Sequence, residues 1–312
     1  MTAAVEEVAE RIEACVPAAV ARGISWCEAG GVEAEELLEL LPPREAFVVG
    51  LTGAPGAGKS TLVNRLVQAY RAAGVTVAVV AVDPSSPLTG GALLGDRVRM
   101  ESVPGDRGFF FRSLASRGAP GGLSNATRAA TRVLSAGGFE VVFVETVGAG
   151  QAEVSIMRVA DTVALVLQPG AGDEMQALKS GLMEIADVYV LNKADQPGVR
   201  QLKSQIKMAV RLREPDGWAR PIVETIASEA KGVVELIEAL GSHREHLRGG
   251  LGAHRTVAGA RAEAVRLARA ALEAALSAEQ EQVLAELDAG ILGEADAGSE
   301  LARRAARRVA GG

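Results

Sequence analysis

"AFVVGLTGAPGAGKST", residues 46–61, runs an apolar, β-branched segment straight into a glycine-rich turn and a Lys-Ser-Thr triplet. The apolar run predicts a buried strand and the residues from Lys59 onward a helix. In that context Gly53 to Ser60 matches G-x-x-x-x-G-K-[ST], a phosphate-binding loop. The glycines let backbone N–H groups turn inward around phosphates, and the N-terminus of the following helix adds positive potential. Gly53, Pro55, Gly56, Ala57, Gly58, Lys59, Ser60 and Thr61 are therefore expected to form the cradle. Lys59 is expected to reach the β- and γ-phosphates, and the Ser60 hydroxyl to coordinate Mg²⁺.

Outward from this loop, further β-rich runs alternate with helical stretches at 75–83, 108–113, 139–146, 162–168, 187–192 and 222–227. Most are continuously apolar, as in parallel strands covered on both faces. The expected fold is α/β, a P-loop NTPase with a doubly wound, mostly parallel sheet over residues 44–250. Residues 1–43 read as an N-terminal helical extension: Val5, Val8, Ile12, Val16 and Val20 keep helical spacing through 5–22, a second stretch covers 34–41, and Pro42-Pro43 stops it. Residues 251–312 read as C-terminal helices rich in Ala, Leu, Glu and Arg. Their apolar stripe is expected either to form a homodimer interface or to pack back on the α/β domain.

Bulk properties narrow the function classes. The chain has 312 residues, 48% of them hydrophobic, and a net charge of −6. No global basic field draws nucleic acid or an anionic membrane. No apolar run approaches the ~18 residues of a membrane span, and the acidic N-terminus differs from a signal peptide. Two cysteines, Cys15 and Cys27, suit a reduced cytoplasmic protein better than a disulfide.

The base is read by "NKAD", Asn192 to Asp195, at the end of the run 187–192. A carboxylate at Asp195 can accept both N1–H and the 2-amino group of guanine, whereas adenine would leave it unpaired at a cost of about 1–3 kcal/mol. Asn192 is expected to support the other edge of the base, and the Lys193 stem to lie along its face. The nucleotide expected is GTP or GDP.

Between these motifs stand "DPSSPLTGGALLGDRVRM" (83–100), "ETVGAGQAEV" (145–154) and "QPGAGDEMQALKSG" (168–181). With them the whole chain closely resembles the MeaB/ArgK-type P-loop GTPases, chaperones of methylmalonyl-CoA mutase and related adenosylcobalamin enzymes, also labelled lysine/arginine/ornithine transport kinases. The resemblance implies a Mg²⁺-dependent GTPase that is read and stimulated by a mutase partner, and the positional character of phosphoryl-transfer catalysis leads us to expect slow intrinsic hydrolysis. Any cobalamin belongs to the partner, since no D-x-H-x-x-G motif occurs here. Asp83, Asp96 and Glu145 supply carboxylates suited to Mg²⁺ alongside Ser60, or alternatively cap helices. Gly148 occupies the place of a γ-phosphate-sensing turn. Gln151, three residues further on, is a candidate for orienting the attacking water. Arg97, Arg99 and Arg112 are candidates for an arginine finger. In the family the 168–181 stretch acts as a switch, implicating Asp173 and Lys179. "TIASEAKG" (225–232) resembles the segment that supports guanine through backbone amides, with Ile226 and Ala227 as contacts.

The sequence departs from the family at Val98, where Thr is common, at Ser180, where a second Lys is common, and at 293–298, which lacks a family Pro-Tyr. His243, His246 and His254 are expected on a solvated face beyond the α/β domain. Two other functions remain to be weighed: a transport-linked kinase or ATPase, and a metal-insertion GTPase of the nickel-chaperone type.

Overall fold

The computed structural model describes residues 3–83, 106–115, 122–146, 156–170, 182–211 and 217–251, and within the C-terminal stretch 276, 279–280, 282–284, 286–287, 289, 291 and 297–304. The described chain falls into two compact units, Met1–His246 and Leu247–Gly312.

The first unit is built on seven strands: β1 (Phe47–Thr52), β2 (Val77–Asp83), β3 (Phe109–Ala115), β4 (Val141–Thr146), β5 (Thr162–Leu167), β6 (Val188–Asn192) and β7 (Ile222–Thr225). Their spatial order is β3-β2-β4-β1-β5-β6-β7, and every strand pair is parallel. All seven sequence-predicted runs thus become strands. Parallel pairing puts all the strand C-termini on one edge, and β1 lies beside the point where the chain reverses its direction of travel across the sheet. Ligands in such sheets bind outside that edge.

Alternation sorts the apolar strand residues onto two cores. Val48, Val142, Val163, Leu165 and Leu191 face one layer, whereas Val49, Leu51, Phe143, Val166 and Val190 face the other. The first face is covered by α1 (Ala3–Glu13), α2 (Pro17–Ala29), α3 (Val32–Leu40), α5 (Gly122–Ala136), the short α6 (Leu182–Ile185) and α7 (Val199–Arg211). The second is covered by α4 (Lys59–Ala72) and α8 (Val233–His246).

The helical stretch read as 5–22 is two helices. Cys15 takes φ 57°, and Pro17 opens α2 at its first turn, where its missing N–H costs nothing. Helical spacing continues across the break, so periodicity alone does not reveal it. Polar ties then fasten this preface to the sheet layer. Arg132 donates to the carbonyls of Leu41 and Pro42 at 2.7 Å each, and Ser135 bonds the Arg44 carbonyl and the Ala46 amide. Both cysteines are free, Cys15 exposed and Cys27 buried; burial pushes the Cys27 thiol up to about 11, which leaves it an inert core group.

In the second unit, Arg304 joins Glu286 through a bidentate pair of 2.7 and 2.9 Å and reaches Glu300 at 2.9 Å. Val283 is buried there. Among the described residues no helix is long and apolar enough to cross a membrane.

Candidate functional site

The P-loop follows β1 at the C-terminal edge, and its glycines answer to specific neighbours. Gly53 has φ 141°, and a side chain there would strike the Val166 carbonyl of β5. Gly58 has φ 89°, and a side chain there would strike the Asn192 amide. Lys59 is buried, with its ammonium donating to the carbonyls of Gly53 at 2.6 Å and Ala54 at 3.1 Å. The lysine is thereby folded back onto the loop that it follows.

Ser60, at the first turn of α4, donates its hydroxyl to Glu145 Oε1 at 2.6 Å. Glu145 ends β4 in register with Leu51 and is only 4% exposed. Two hard oxygen donors are thus held together beside the loop, a set that fits Mg²⁺. Asp83 ends β2 on the same edge, two residues beyond the Ala81 that pairs with Glu145; its side chain lies outside the described residues. So do Asp96, Gly148, Gln151, Asp173 and Lys179, together with Arg97 and Arg99. Arg112, the remaining finger candidate, is committed elsewhere. It pairs with Glu28 and bonds Ser25 Oγ at 3.0 Å, holding α2 to the edge strand β3.

On the base side, Asn192 ends β6 opposite Thr225 of β7. Its Nδ2 donates to the Ala57 carbonyl at 2.8 Å. Its Oδ1 accepts from Thr225 Oγ1 at 3.0 Å and from the Ala227 amide at 3.1 Å. Asn192 therefore stitches three segments together, the P-loop, β7 and the turn after it. Lys193 takes φ 56° and donates to the Gly56 carbonyl at 3.0 Å, which lays its stem across the loop. Asp195 stands exposed beyond it. The amides expected to meet guanine are engaged inside the protein: Ile226 N–H bonds the Lys231 carbonyl at 3.0 Å, and Ala227 N–H bonds Asn192. The first of these bonds closes the turn on itself and the second ties it to β6.

Two arrangements escape motif reading. Arg65 of α4 donates to the carbonyls of Ala227 and Ser228, a pairing 162 residues apart or more that only the folded chain reveals. His243, expected on a solvated face, is 2% exposed. Its Nδ1 lies 2.8 Å from Thr162 Oγ1 and its Nε2 3.6 Å from Asp187 Oδ1, and the Trp218 ring packs 4.9 Å away. It belongs to α8, inside the first unit, because that helix covers the second sheet face. The apolar spacing of Val233, Leu236 and Leu240 was the available signal, since His243 continues it. His254 lies outside the described residues.

Comparison with known proteins follows this geometry. The family model described as "Methylmalonyl Co-A mutase-associated GTPase MeaB" matches residues 20–281. A Pyrococcus abyssi protein described as a GTPase is 47% identical over 249 residues, covering 78% of this chain and 77% of its own. The mitochondrial methylmalonic aciduria type A homolog of Mus musculus is 34% identical over 199 residues, 62% of this chain and 48% of its own. Among solved structures, that of LAO/AO transport system kinase aligns with TM-score 0.70 and 25% identity, covering 97% of this chain and 98% of that one. With a P-loop after β1 and a family match over most of its length, the chain belongs to the methylmalonyl Co-A mutase-associated GTPases, the MeaB family.

Proposed function

We propose that this GTPase is a Mg²⁺-dependent chaperone and regulator of an adenosylcobalamin-dependent acyl-CoA mutase such as methylmalonyl-CoA mutase. The family match across residues 20–281 carries the partner assignment, and the mouse relative named for methylmalonic aciduria supports it. The chain works as a cytoplasmic homodimer joined through residues 251–312, and leaves cobalamin to its partner.

GTP enters with its base between the Lys193 stem and Asp195 and its phosphates in the loop 53–60. Lys59 then exchanges its loop carbonyls for β- and γ-phosphate oxygens, where its charge counts most as the γ-phosphoryl departs. Ser60 and Glu145, joined by Asp83 and Asp96, would hold Mg²⁺, which supplies further charge neutralisation when bound. The Ser60 hydroxyl and the Glu145 carboxylate, which share a hydrogen bond of 2.6 Å, would both be available to such an ion as oxygen ligands. Gly148 senses the γ-phosphate and Gln151 orients the attacking water. Such catalysis is mainly positioning, and few groups are placed to do it, so intrinsic turnover is slow. Asp173 and Lys179 form the switch that reports nucleotide state to the mutase, which requires only a few kcal/mol of differential binding between states.

Adding the mutase of the source organism to the full-length protein should raise GTP turnover at least several-fold over the intrinsic rate. Lys179→Ala should blunt the rise while leaving GDP affinity nearly intact. A mutase that neither binds nor alters turnover would remove the chaperone role and leave the GTPase alone.

A further inference from the structure

Arg65 belongs to neither nucleotide motif, yet it joins the elements that carry both. It lies on α4, the helix that begins at Lys59. Its Nε donates to the Ala227 carbonyl at 3.1 Å and its Nη2 to the Ser228 carbonyl at 2.9 Å. Its Nη1 donates to Gln68 Oε1 at 3.1 Å, one turn further along the same helix, which fixes the plane of the guanidinium. A planar fork with several donors can hold two successive carbonyls at once, which a lysine ammonium cannot do with the same geometry.

Ala227 is the residue gripped from both sides. Its N–H is held by Asn192 Oδ1 from β6 and its carbonyl by Arg65 from α4, and its side chain is buried. The short 3₁₀ turn Ala227–Glu229 is thereby fixed relative to the strand that presents Asp195 and to the helix that begins at the P-loop. Asn192 completes the triangle by bonding the Ala57 carbonyl of the loop. A turn held this way loses little freedom when a ligand docks on it. One freed at its carbonyls must be ordered during binding, and that entropy is subtracted from affinity.

We infer that Arg65 is a positioning residue for guanine recognition, holding the Ala227–Glu229 turn at the level where the base edge is read. The inference rests on the guanine reading of Asp195 and the 225–232 segment. It assigns the P-loop helix a part in base affinity separate from its part in holding phosphate. The loss on removing Arg65 should therefore fall on the base and spare the phosphates.

The test uses the full-length protein with Mg²⁺ and displacement of a fluorescent GDP analogue by GDP, IDP and ADP. Arg65→Gln should weaken GDP and IDP by about tenfold, the scale of one or two lost charge-assisted hydrogen bonds. ADP affinity should stay within about twofold, because the phosphate loop keeps its geometry. The GDP-to-IDP ratio should not change, because Asp195 alone receives the 2-amino group. Arg65→Lys should fall between wild type and Arg65→Gln, which preserves the test if the glutamine variant folds poorly. Wild-type GDP affinity in Arg65→Gln would overturn the inference, and so would an equal loss for ADP, which would mark a general loosening of the fold. Asp195→Asn serves as the control for the underlying reading. If it leaves the preference for GDP over ADP unchanged, guanine recognition lies elsewhere and the role of Arg65 falls with it.

Discussion

Gly58 answers to two constraints at once. Its φ of 89° lies where a Cβ is costly, and the space a Cβ would take is already held by the Asn192 amide. That amide is not idle, since it donates to the Ala57 carbonyl one residue before Gly58. A methyl group at 58 would therefore strain the loop and displace the side chain that ties it to the base-reading strand. Gly58→Ala should cost about 1–3 kcal/mol of stability from the backbone conformation and the broken contact. It should also lower GDP affinity by more than tenfold. Urea unfolding and isothermal titration would measure the two effects, and a variant that binds GDP normally would show that Asn192 can yield without harm.

At the scale of elements, the far end of α4 is pinned as firmly as its P-loop end. Arg71 makes a bidentate pair with Asp106 at 2.8 and 2.7 Å and donates to the Val75 carbonyl at 2.7 Å. One guanidinium thus joins the end of the helix to the approaches of β2 and β3. The hydrogen bonds from Arg71, helped by the Gly108 amide, hold the Asp106 carboxyl below its ordinary range. The folded-state pKa is depressed, so the stabilisation is fully present above the unfolded value of about 3.9 and is lost as pH falls through the lower folded value. Arg71→Met should let Asp106 return toward its ordinary pKa. Acid unfolding, followed by circular dichroism, should then begin at a higher pH than in the parent. At neutral pH the loss should be about 1 kcal/mol or less, because the pair is partly solvated. An unchanged acid transition would show that Asp106 gains nothing from the pairing.

At the scale of the whole molecule, the chain divides after His246, and both nucleotide motifs lie before that boundary. The proposed dimer uses the segment beyond it. Deleting residues 256–312 should therefore give a protein that light scattering finds monomeric at micromolar concentration and that still binds GDP. A monomeric full-length protein, or loss of GDP binding on truncation, would refute that division of labour.

The sequence by itself determined the sheet, the loop and the nucleotide. Seven apolar runs, a glycine pattern between strand and helix, and a carboxylate after β6 are local signals. Each rests on spacing along the chain and on the chemistry of the residues within it. Tertiary structure decided the uses of side chains whose partners are distant in sequence. Asn192 bonds Ala57 across 135 residues, which adds a stitch between loop and strand that the motif does not show. Arg112 meets Glu28 across 84 residues, which removed it from the phosphate site. His243 is buried because α8 lies against the sheet, a placement that its own helical period permits but does not specify. The amide of Ala227 meets Asn192 across 35 residues, a tie between the 225–232 segment and β6 that no local pattern announces. Period and motif fix which elements form and where their ends point. Only packing fixes which of many polar groups meet, because hydrogen bonds between distant segments depend on how whole layers are set against each other.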